Sequence, residues 1–207
     1  MTTPLGSLEI AAREGRRVSV HRATRETDVS VTVDLDGSGA ADVQTGVGFY
    51  DHLLASLAHH GLIDLTIRAT GDLEVDDHHT VEDVALVLGA AVAEALGDRA
   101  GIVRFGDASV PMDEAVATAI VDVGGRPYAV VDLPFRADRA GSLSLQLVEH
   151  ALEAFARTAG ATLHVRGTGR NDHHLAEAAF KSLGRALRAA TEPDPRRRGV
   201  ASTKGST

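Results

Sequence analysis

A metal-ligand motif occurs twice in this chain, and the repeat constrains the fold more than any other feature. His78-His79-Thr80-Val81-Glu82 and His173-His174-Leu175-Ala176-Glu177 both read H-H-x-x-E. A third histidine, directly after an acidic residue, lies upstream of each copy, at Asp51-His52 and Glu149-His150. Imidazole nitrogens and carboxylate oxygens together suit divalent transition metals such as Mn, Fe, Ni or Zn. The six histidines and two glutamates therefore predict two similar metal sites.

The order of features around the two motifs is the same in both halves. Each half runs from acid-His through a short helix, a glycine, a strand and a Thr-Gly turn to the H-H-x-x-E motif and a long helix. We interpret this order as an internal duplication of a βαβ-type unit, with repeats at about 18–98 and 99–192. Since no linker rich in Pro, Gly or Ser separates the repeats, we expect one catalytic domain over residues 1–207. Its predicted class is α+β, with mixed α/β character and sheets backed by helices.

Hydrophobic periodicity locates the elements of both repeats. Alternating or continuous apolar runs predict strands at 29–35, 63–67, 120–123 and 128–133. Apolar residues at helical spacing predict helices at 53–58, 81–96, 148–159 and 175–190. Helix-ending residues follow these segments, at Gly61, Gly97, Gly160 and Pro193.

Helical geometry divides the ligands between two metals. Residues four apart share a helix face, whereas adjacent residues are rotated by about 100°. The two histidines of each pair therefore serve different metals. By symmetry, one metal takes His52, His79, His173 and Glu177, and the other takes His150, His174, His78 and Glu82. About two positions of a six-coordinate ion then stay open, as in catalytic sites.

The assembly of the chain follows from the same division of ligands. If the two halves of one chain cannot face each other, the metal sites form between subunits. Symmetric oligomerisation then depends on metal binding. The other four histidines lack the repeated pattern and are predicted to be structural or surface residues: His21, His59, His60 and His164.

Composition excludes several classes of protein. The chain has no cysteine, which excludes disulfides, thiolate metal sites and cysteine nucleophiles. Its formal net charge of −8 argues against nucleic acid as the main partner. No apolar run is long enough for a membrane span or a signal peptide, so we expect a cytoplasmic protein. The arginines at 196–198 are either a solvated tail segment or an anion-binding element.

Further motifs follow one another over roughly residues 18–205. They are Arg25-Glu26-Thr27, Thr45-Gly46-Val47-Gly48-Phe49-Tyr50-Asp51-His52, Asp76-Asp77-His78-His79-Thr80-Val81-Glu82-Asp83, Arg104-Phe105-Gly106, Pro111-Met112-Asp113-Glu114, Gly125-Arg126-Pro127-Tyr128, the stretch from Asp172-His173-His174 to Phe180-Lys181, Asp194-Pro195-Arg196 and Ser202-Thr203-Lys204-Gly205. In this combination and order, the chain resembles the imidazoleglycerol-phosphate dehydratase family in its monofunctional form.

The resemblance implies a fold, a cofactor and an assembly. The fold is a duplicated one like domain two of ribosomal protein S5, with two Mn²⁺ ions per active site. The subunits form a 24-mer whose metal sites lie at subunit interfaces. Segment 193–207 becomes a C-terminal substrate loop, in which Ala201 and Ser206 stand in place of the family's usual Pro and Leu.

The resemblance also implies a reaction, carried out by a hydro-lyase of histidine biosynthesis. D-erythro-imidazole-glycerol phosphate loses water to give imidazole acetol phosphate, with the substrate ring bound as imidazolate to the dinuclear metal site. The implied catalytic residues are Glu26 and the eight ligands His52, His78, His79, Glu82, His150, His173, His174 and Glu177. The implied substrate contacts are Glu26, Arg104, Arg126, Lys181, Ser202, Thr203 and Lys204.

Several of these residues have a simpler interpretation. Glu26 is either a general acid or base, or a surface carboxylate at a strand edge. Lys181 either binds phosphate or forms an i,i+4 ion pair with Glu177, a pair not expected if Glu177 is a ligand. Each ligand histidine or histidine pair directly follows an acid that could accept a hydrogen bond from an imidazole and so orient the ring: Asp51, Asp77, Glu149 and Asp172. For Asp77 and Asp172, a role as helix N-cap is slightly favoured. Asp83, four residues after His79, is the better candidate for orienting a ring.

Two other functions compete with the dehydratase. A different dinuclear metalloenzyme, such as a phosphoesterase, would use the metals to activate water, although such hydrolases usually carry more carboxylates. A metal-storage or metal-assembled structural protein would use the ions as links between subunits. Neither alternative accounts for both the nitrogen-rich ligand set and the group of Arg, Lys, Ser and Thr residues typical of phosphate binding.

Overall fold

The computed structural model describes residues 7–205, so Ser206 lies outside the described residues. The strands, in chain order, are β1 (Glu9–Glu14), β2 (Arg17–Ala23), β3 (Thr27–Asp34), β4 (Ala41–Gln44), β5 (Asp64–Gly71), β6 (Phe105–Met112), β7 (Ala115–Asp122), β8 (Tyr128–Asp132), β9 (Arg139–Ala140), β10 (Leu143–Ser144) and β11 (Thr162–Thr168). The helices are α1 (Gly48–Gly61), α2 (His78–Leu96), α3 (Gln146–Ala159) and α4 (Asp172–Thr191). The class is therefore α+β, as predicted.

The two large sheets have the same topology. The first sheet has the order β1-β2-β3-β5-β4 and the second has the order β6-β7-β11-β8. In both sheets the last pairing is parallel, β4 with β5 and β8 with β11, and the others are antiparallel. Setting aside β1, each strand and helix of the first sheet has a counterpart in the second. The fold therefore consists of two similar halves.

The four helices lie between the two sheets. Helix α2 packs on β2 and β3, α4 packs on β6 and β7, and the layers meet where α2 contacts α3 and α1 contacts α4. Alternation places valines of β2 and β3 in the core, among them Val18, Val29 and Val31, while the next residues face outward. Because aromatic residues make up only 3% of the chain, small aliphatic residues fill most of this core.

Glycines set the distance between the helix layers. A Cβ on Gly89 in α2 would collide with α3, with the carbonyl oxygen of Phe155 only 2.5 Å away. A Cβ on Gly184 in α4 would collide with the carbonyl oxygen of Leu57 in α1. Since α1 and α3 carry the upstream histidines, this close packing brings those histidines toward the H-H-x-x-E motifs.

The predicted elements are present, with shifted boundaries. Helix α1 begins at Gly48 and so includes His52, while α2 and α4 begin at or just before their histidine pairs. Strands β1, β2, β4, β6, β9 and β10 were missed because each presents many polar residues to solvent or is short. No helix among residues 7–205 is long and apolar enough to cross a bilayer.

Candidate metal centre

The first cluster of ligands lies where α1 packs against α4. The carboxylate oxygen Oε2 of Glu177 lies 3.0 Å from Nε2 of His52 and 3.2 Å from Nε2 of His173. His173 and Glu177 are four residues apart and occupy one face of α4, as predicted. The ring of Phe49 packs against that of His173 in a tilted arrangement, with centroids 4.6 Å apart, and so bounds one side of the cluster.

The second cluster lies at the equivalent position, where α2 packs against α3. Oε1 of Glu82 lies 3.3 Å from Nε2 of His150, and Oε2 of Glu82 lies 3.9 Å from Nε2 of His78. The rings of His78 and His150 have centroids 4.9 Å apart. In each cluster one ligand atom per residue lies within 4.8 Å of the others, which is the spacing of donors around a single ion.

The donors of both clusters fit a divalent transition metal. Nε2 of His150 is buried and, apart from the Glu82 carboxylate 3.3 Å away, has no polar partner and makes no hydrogen bond among the described residues, so a bound ion would satisfy it. Two imidazoles and one carboxylate form the donor set of each cluster. One further imidazole would complete the three His and one Glu that the sequence predicts for each metal.

The second histidine of each H-H pair points away from the cluster that contains the first histidine of that pair. The rings of His78 and His79 are at 84° to each other, and those of His173 and His174 are at 87°. Nδ1 of His79 lies 3.0 Å from Asp72, and Nδ1 of His174 lies 2.9 Å from Glu114. The chain therefore does not bring His79 or His174 into either three-residue cluster.

These contacts change the pKa values of the groups involved. The hydrogen bond with Asp72 raises the pKa of His79. The hydrogen bond from His174, with a backbone N–H from Asn171, lowers the pKa of Glu114 to about 2. Burial by itself raises the pKa of Glu177, but hydrogen bonds from Lys181 and His52 outweigh it and lower the pKa to about 2. These contacts therefore favour the charged carboxylates of Glu114 and Glu177 and the protonated ring of His79.

Both ligand glutamates are also paired with a cation. Nζ of Lys181 lies 2.7 Å from Oε1 of Glu177, and Nη2 of Arg157 lies 3.1 Å from Oε1 of Glu82. The expectation that Lys181 would not pair with Glu177 is wrong, because Glu177 presents one oxygen to the lysine and the other to the histidines. Lys181 thus lies beside the predicted metal ligands, on the same face of α4.

The acids next to the ligand histidines do not bond to them. Asp51 accepts from the backbone N–H of Thr45 at 2.8 Å, and Asp172 accepts from the backbone N–H of Ala137 at 2.7 Å. Asp77 accepts from Oγ of Ser144 at 2.8 Å. The proposed ring-orienting role is therefore wrong for all three, and exposed Glu149 lines a cavity of about 530 Å³ beside Phe135 and Arg139.

The remaining assignments near the helix starts also need correction. Asp77 occupies the N-cap position of α2, but its side chain makes no capping hydrogen bond, and Asp172 is already the first residue of α4. The N-cap of α4 is Asn171, whose side chain accepts from the N–H of His173. Asp83 is buried and bonds to Thr27 and Arg22 rather than to His79. Its role is to fix α2 to the first sheet.

A separate basic pocket collects most of the predicted substrate contacts. It has a volume of about 530 Å³ and is lined by Arg104, Phe105, Gly124, Arg126, Ala201, Ser202, Thr203 and Lys204. Arg104 is fixed in place by Asp122, with Nε 2.6 Å and Nη2 2.8 Å from its two carboxylate oxygens. Its Nη1 donates to the carbonyl oxygen of Ala201 at 2.6 Å, which ties the C-terminal segment to the pocket.

The basic pocket and the first cluster lie at opposite ends of the second sheet. Arg104 directly precedes β6, whereas Glu114, which contacts His174, follows the other end of β6. Eight residues of strand place these ends about 23 Å apart. His150 of the second cluster is also distant, because α3 runs from it to Gly160, about 15 Å away and packed on Gly125.

Glu26 lies with the histidines rather than with the basic pocket. Its Oε2 is 3.9 Å from Nδ1 of His79, and its side chain is 56% exposed. Of the predicted substrate contacts, the fold thus places Glu26 and Lys181 beside predicted metal ligands, His79 and Glu177, and the other five at the far end of the second sheet. The four remaining histidines lie outside both clusters.

Sequence reasoning missed three residues of the centre. Asp72, Glu114 and Arg157 contact His79, His174 and Glu82, yet none of them is adjacent to a histidine in the chain. The available signal was positional, since Asp72 follows the first Thr-Gly turn and Glu114 directly precedes a strand, as Glu26 does.

Comparisons with known proteins decide the family. The model of the imidazoleglycerol-phosphate dehydratase family matches residues 45–187. The chain belongs to this family. It is 56% identical over 191 residues to the imidazoleglycerol-phosphate dehydratase of Methanoculleus marisnigri, covering 92% of this chain and 99% of that one. It is 54% identical over 194 residues to the chloroplastic enzyme of Pisum sativum, covering 93% of this chain and 69% of that one.

Solved structures of imidazoleglycerol-phosphate dehydratase share the fold. The enzyme from Pyrococcus furiosus matches with a TM-score of 0.78 and 37% identity, over 90% of this chain and 99% of that chain. The enzyme from Staphylococcus aureus matches with a TM-score of 0.74 and 33% identity, over 84% and 97%. As a member of the dehydratase family, the protein is a hydro-lyase of histidine biosynthesis.

Proposed function

We propose that this chain dehydrates D-erythro-imidazole-glycerol phosphate to imidazole acetol phosphate, with two Mn²⁺ ions at each active site between subunits. The observation that carries the proposal is the pair of equivalent clusters in one chain of this family, each with two imidazoles and one carboxylate. Each cluster lacks one imidazole, and each ligand helix presents one imidazole, His79 or His174, that belongs to neither cluster.

The incomplete clusters support a site built from two chains. One chain would supply His52, His173 and Glu177 to the first ion and His174 to the second. The facing chain would supply His78, Glu82 and His150 to the second ion and His79 to the first. Because His173 and His174 are adjacent, as are His78 and His79, the two ions would lie side by side. This arrangement satisfies all eight predicted ligands with no residue used twice.

The position of the basic pocket supports a third contributor. Within one chain, Arg104 lies about 23 Å from the residues around His174. A substrate with an imidazole at one end and a phosphate at the other is much shorter than that. Its phosphate would therefore reach the Arg104, Arg126 and 202–204 pocket of a neighbouring chain. The 24-mer implied by the resemblance belongs to this proposal, because only a closed assembly repeats such contacts for every chain.

The donors of the basic pocket suit a phosphate monoester. Arg126 and Lys204 supply positive charge, and Ser202 and Thr203 supply hydroxyl donors on the same wall. The Asp122 carboxylate accepts from Nε and Nη2 of Arg104 and so fixes the orientation of the guanidinium in the pocket. A cytoplasmic location belongs to the proposal, since phosphorylated metabolites do not cross membranes freely.

The proton to be removed in this reaction is not adjacent to a carbonyl and is weakly acidic. Bound divalent ions would supply Lewis acidity toward the nitrogens of the substrate ring. The proposal gives Glu26 the role of moving a proton, and its exposed carboxylate, 3.9 Å from Nδ1 of His79, supports this role. The clusters and the basic pocket would fix the two ends of the substrate, so that the reacting carbons lie near Glu26.

An activity assay on metal-stripped protein tests the proposal. Turnover of imidazole-glycerol phosphate should be absent without metal, return with added Mn²⁺, and stay absent in His78→Ala. His59→Ala provides the control, because His59 also lies on a helix but outside both clusters. Absence of turnover in assembled wild-type protein that contains its full complement of metal would disprove the assignment.

A further inference from the structure

The rings of His79 and His174 are held by carboxylates in the same way. A carboxylate only accepts hydrogen bonds, so Nδ1 of each ring must carry the hydrogen. Nδ1 of His79 donates to Asp72 at 3.0 Å, and Nδ1 of His174 donates to Glu114 at 2.9 Å. The lone pair of each ring is then on Nε2, on the opposite side of the imidazole and directed away from the carboxylate.

The two carboxylates come from different places in the two halves. Asp72 follows the end of β5, where the second half has Arg170 after its own Thr-Gly turn. Glu114 directly precedes β7, as Glu26 directly precedes β3. The halves therefore meet the same structural need with non-equivalent residues. In the first half the ring of His79 bonds to Asp72 instead, and Oε2 of Glu26 lies 3.9 Å from Nδ1 of His79, beyond hydrogen-bond distance.

Both carboxylates are fixed by the surrounding fold. The other oxygen of Glu114 accepts from the backbone N–H groups of Arg170 at 2.9 Å and Asn171 at 2.7 Å. Asp72 has a side chain that is only 20% exposed, and its backbone N–H donates to the carbonyl oxygen of Glu26 at 3.2 Å. Among residues 7–205, Nε2 of His174 faces no comparable partner, since Asp113, 80% exposed, is 3.9 Å away.

We propose that Asp72 and Glu114 are positioning residues, which hold the Nδ1–H tautomer of His79 and His174 so that Nε2 of each ring completes a metal site on a facing subunit. The inference rests on the proposed function and deepens it. Carboxylates that orient ligand histidines in this way typically change metal affinity by about 10–100-fold when they are removed.

Mn²⁺ titration of metal-stripped protein, with free Mn²⁺ followed by electron paramagnetic resonance, tests the inference. Wild type should bind two Mn²⁺ per chain. Asp72→Ala and Glu114→Gln should each leave one class of site unchanged and weaken the other about 10–100-fold. Glutamine suffices at position 114 because its single carbonyl oxygen cannot serve the backbone amides and the imidazole together. Asp72→Asn, which still has an acceptor for Nδ1–H, should lose less affinity than Asp72→Ala.

The matched control is Asp28→Asn. Asp28 accepts from Nε2 of His21 at 2.8 Å, so it is a hydrogen-bonded carboxylate–histidine pair outside the centre, although it engages the other ring nitrogen. It should bind two Mn²⁺ as wild type does. Wild-type affinity at both sites in Asp72→Ala and Glu114→Gln would overturn the positioning role and leave the proposed function intact. Equal loss at both sites in either variant would also overturn it, as a sign of general damage. A wild-type protein that binds no divalent metal would overturn both proposals.

Discussion

At the scale of single residues, each ligand glutamate is shared between histidines and a cation. Glu177 presents Oε2 to His52 and His173 and Oε1 to Lys181. Such an arrangement keeps the carboxylate charged inside a partly buried site, since the positive neighbour offsets the cost of desolvation. Glu177 is 6% exposed, and the hydrogen bonds from Lys181 and His52 lower its pKa although burial opposes them.

Glu26 is the residue for which the proposed chemistry makes the sharpest single-site prediction. Glu26→Gln removes the proton acceptor but preserves size, so kcat should fall by about 10²–10⁴-fold, as for a general acid or base. Because Glu26 contacts no predicted ligand closely, Mn²⁺ content should stay at the wild-type level. Steady-state kinetics and metal analysis on the same sample measure both quantities.

Glu14→Gln, an exposed glutamate on β1, serves as the control and should leave kcat unchanged. A Glu26→Gln variant with wild-type kcat would show that Glu26 is a surface carboxylate with no role in proton transfer.

Asp64 makes a prediction about pH and stability. Its Oδ1 accepts from the backbone N–H groups of Ser38, Gly39 and Ala40, at 2.7, 2.9 and 2.9 Å, and these bonds lower its pKa below 3.8 although burial opposes them. A lowered folded-state pKa contributes stability above the unfolded pKa, and that contribution is lost as pH falls through the folded value. Asp64→Ala should therefore destabilise the protein at pH 7 by about 1–3 kcal/mol.

Urea unfolding of metal-free protein at a series of pH values measures this effect. The difference between wild type and Asp64→Ala should shrink as pH falls below 3.8. A difference that stays constant with pH would show that the Asp64 carboxylate does not anchor the 38–40 turn through its charge.

The residues of the centre divide clearly into predictable and unpredictable ones. The three-residue clusters were predictable because spacing of four on a helix fixes a shared face, as for His173 and Glu177. The partners Asp72 and Glu114 were not, because their position depends on which strand ends meet the start of each helix. That is a property of the tertiary fold, and acids adjacent in the chain, such as Asp172, bonded to a nearby loop instead.

At the scale of elements, the two clusters depend on close contacts between helices. The α1–α4 contact carries His52 to Glu177, and the α2–α3 contact carries His150 to Glu82. Glycine permits both contacts, at Gly184 and Gly89. The helices themselves were predicted from apolar periodicity. Their close packing was not, because a glycine within a helix does not show from the sequence which other helix packs against it.

Gly184→Ala should separate α1 from α4. Alanine is the better helix former by about 1 kcal/mol, yet its Cβ would meet the carbonyl oxygen of Leu57 and lie 3.1 Å from the N of Gly61. Overpacking of this kind costs about 1–3 kcal/mol, so we expect a lower melting temperature and weaker Mn²⁺ binding. Calorimetry and metal titration measure the two effects.

Gly48→Ala is the matched control, since nothing lies within 4 Å of the Cβ it would add at the start of α1. It should melt at or above the wild-type temperature. Equal stability of Gly184→Ala and wild type would mean that the helix layers can separate at no cost.

At the scale of the whole molecule, one chain carries every part of the proposed site, but these parts lie at separate places in the fold. The clusters lie on separate helix pairs, and the basic pocket lies at the far end of the second sheet. Duplication explains this geometry, because two copies of one unit place equivalent ligands on equivalent surfaces. The sequence predicts the repeats, but only the fold shows how far apart the parts lie.

Mixed assembly of two inactive variants tests the two-chain site most directly. His173→Ala lacks one cluster and His78→Ala lacks the other, so each alone should be inactive. When the two are dissociated, combined in equal amounts and reassembled with Mn²⁺, some interfaces join an intact first cluster to an intact second cluster. Activity should return to about a quarter of the wild-type value, because each of the two roles is filled by an intact chain half of the time. If every site instead forms within one chain, each site keeps a defect, and the mixture should stay as inactive as its components.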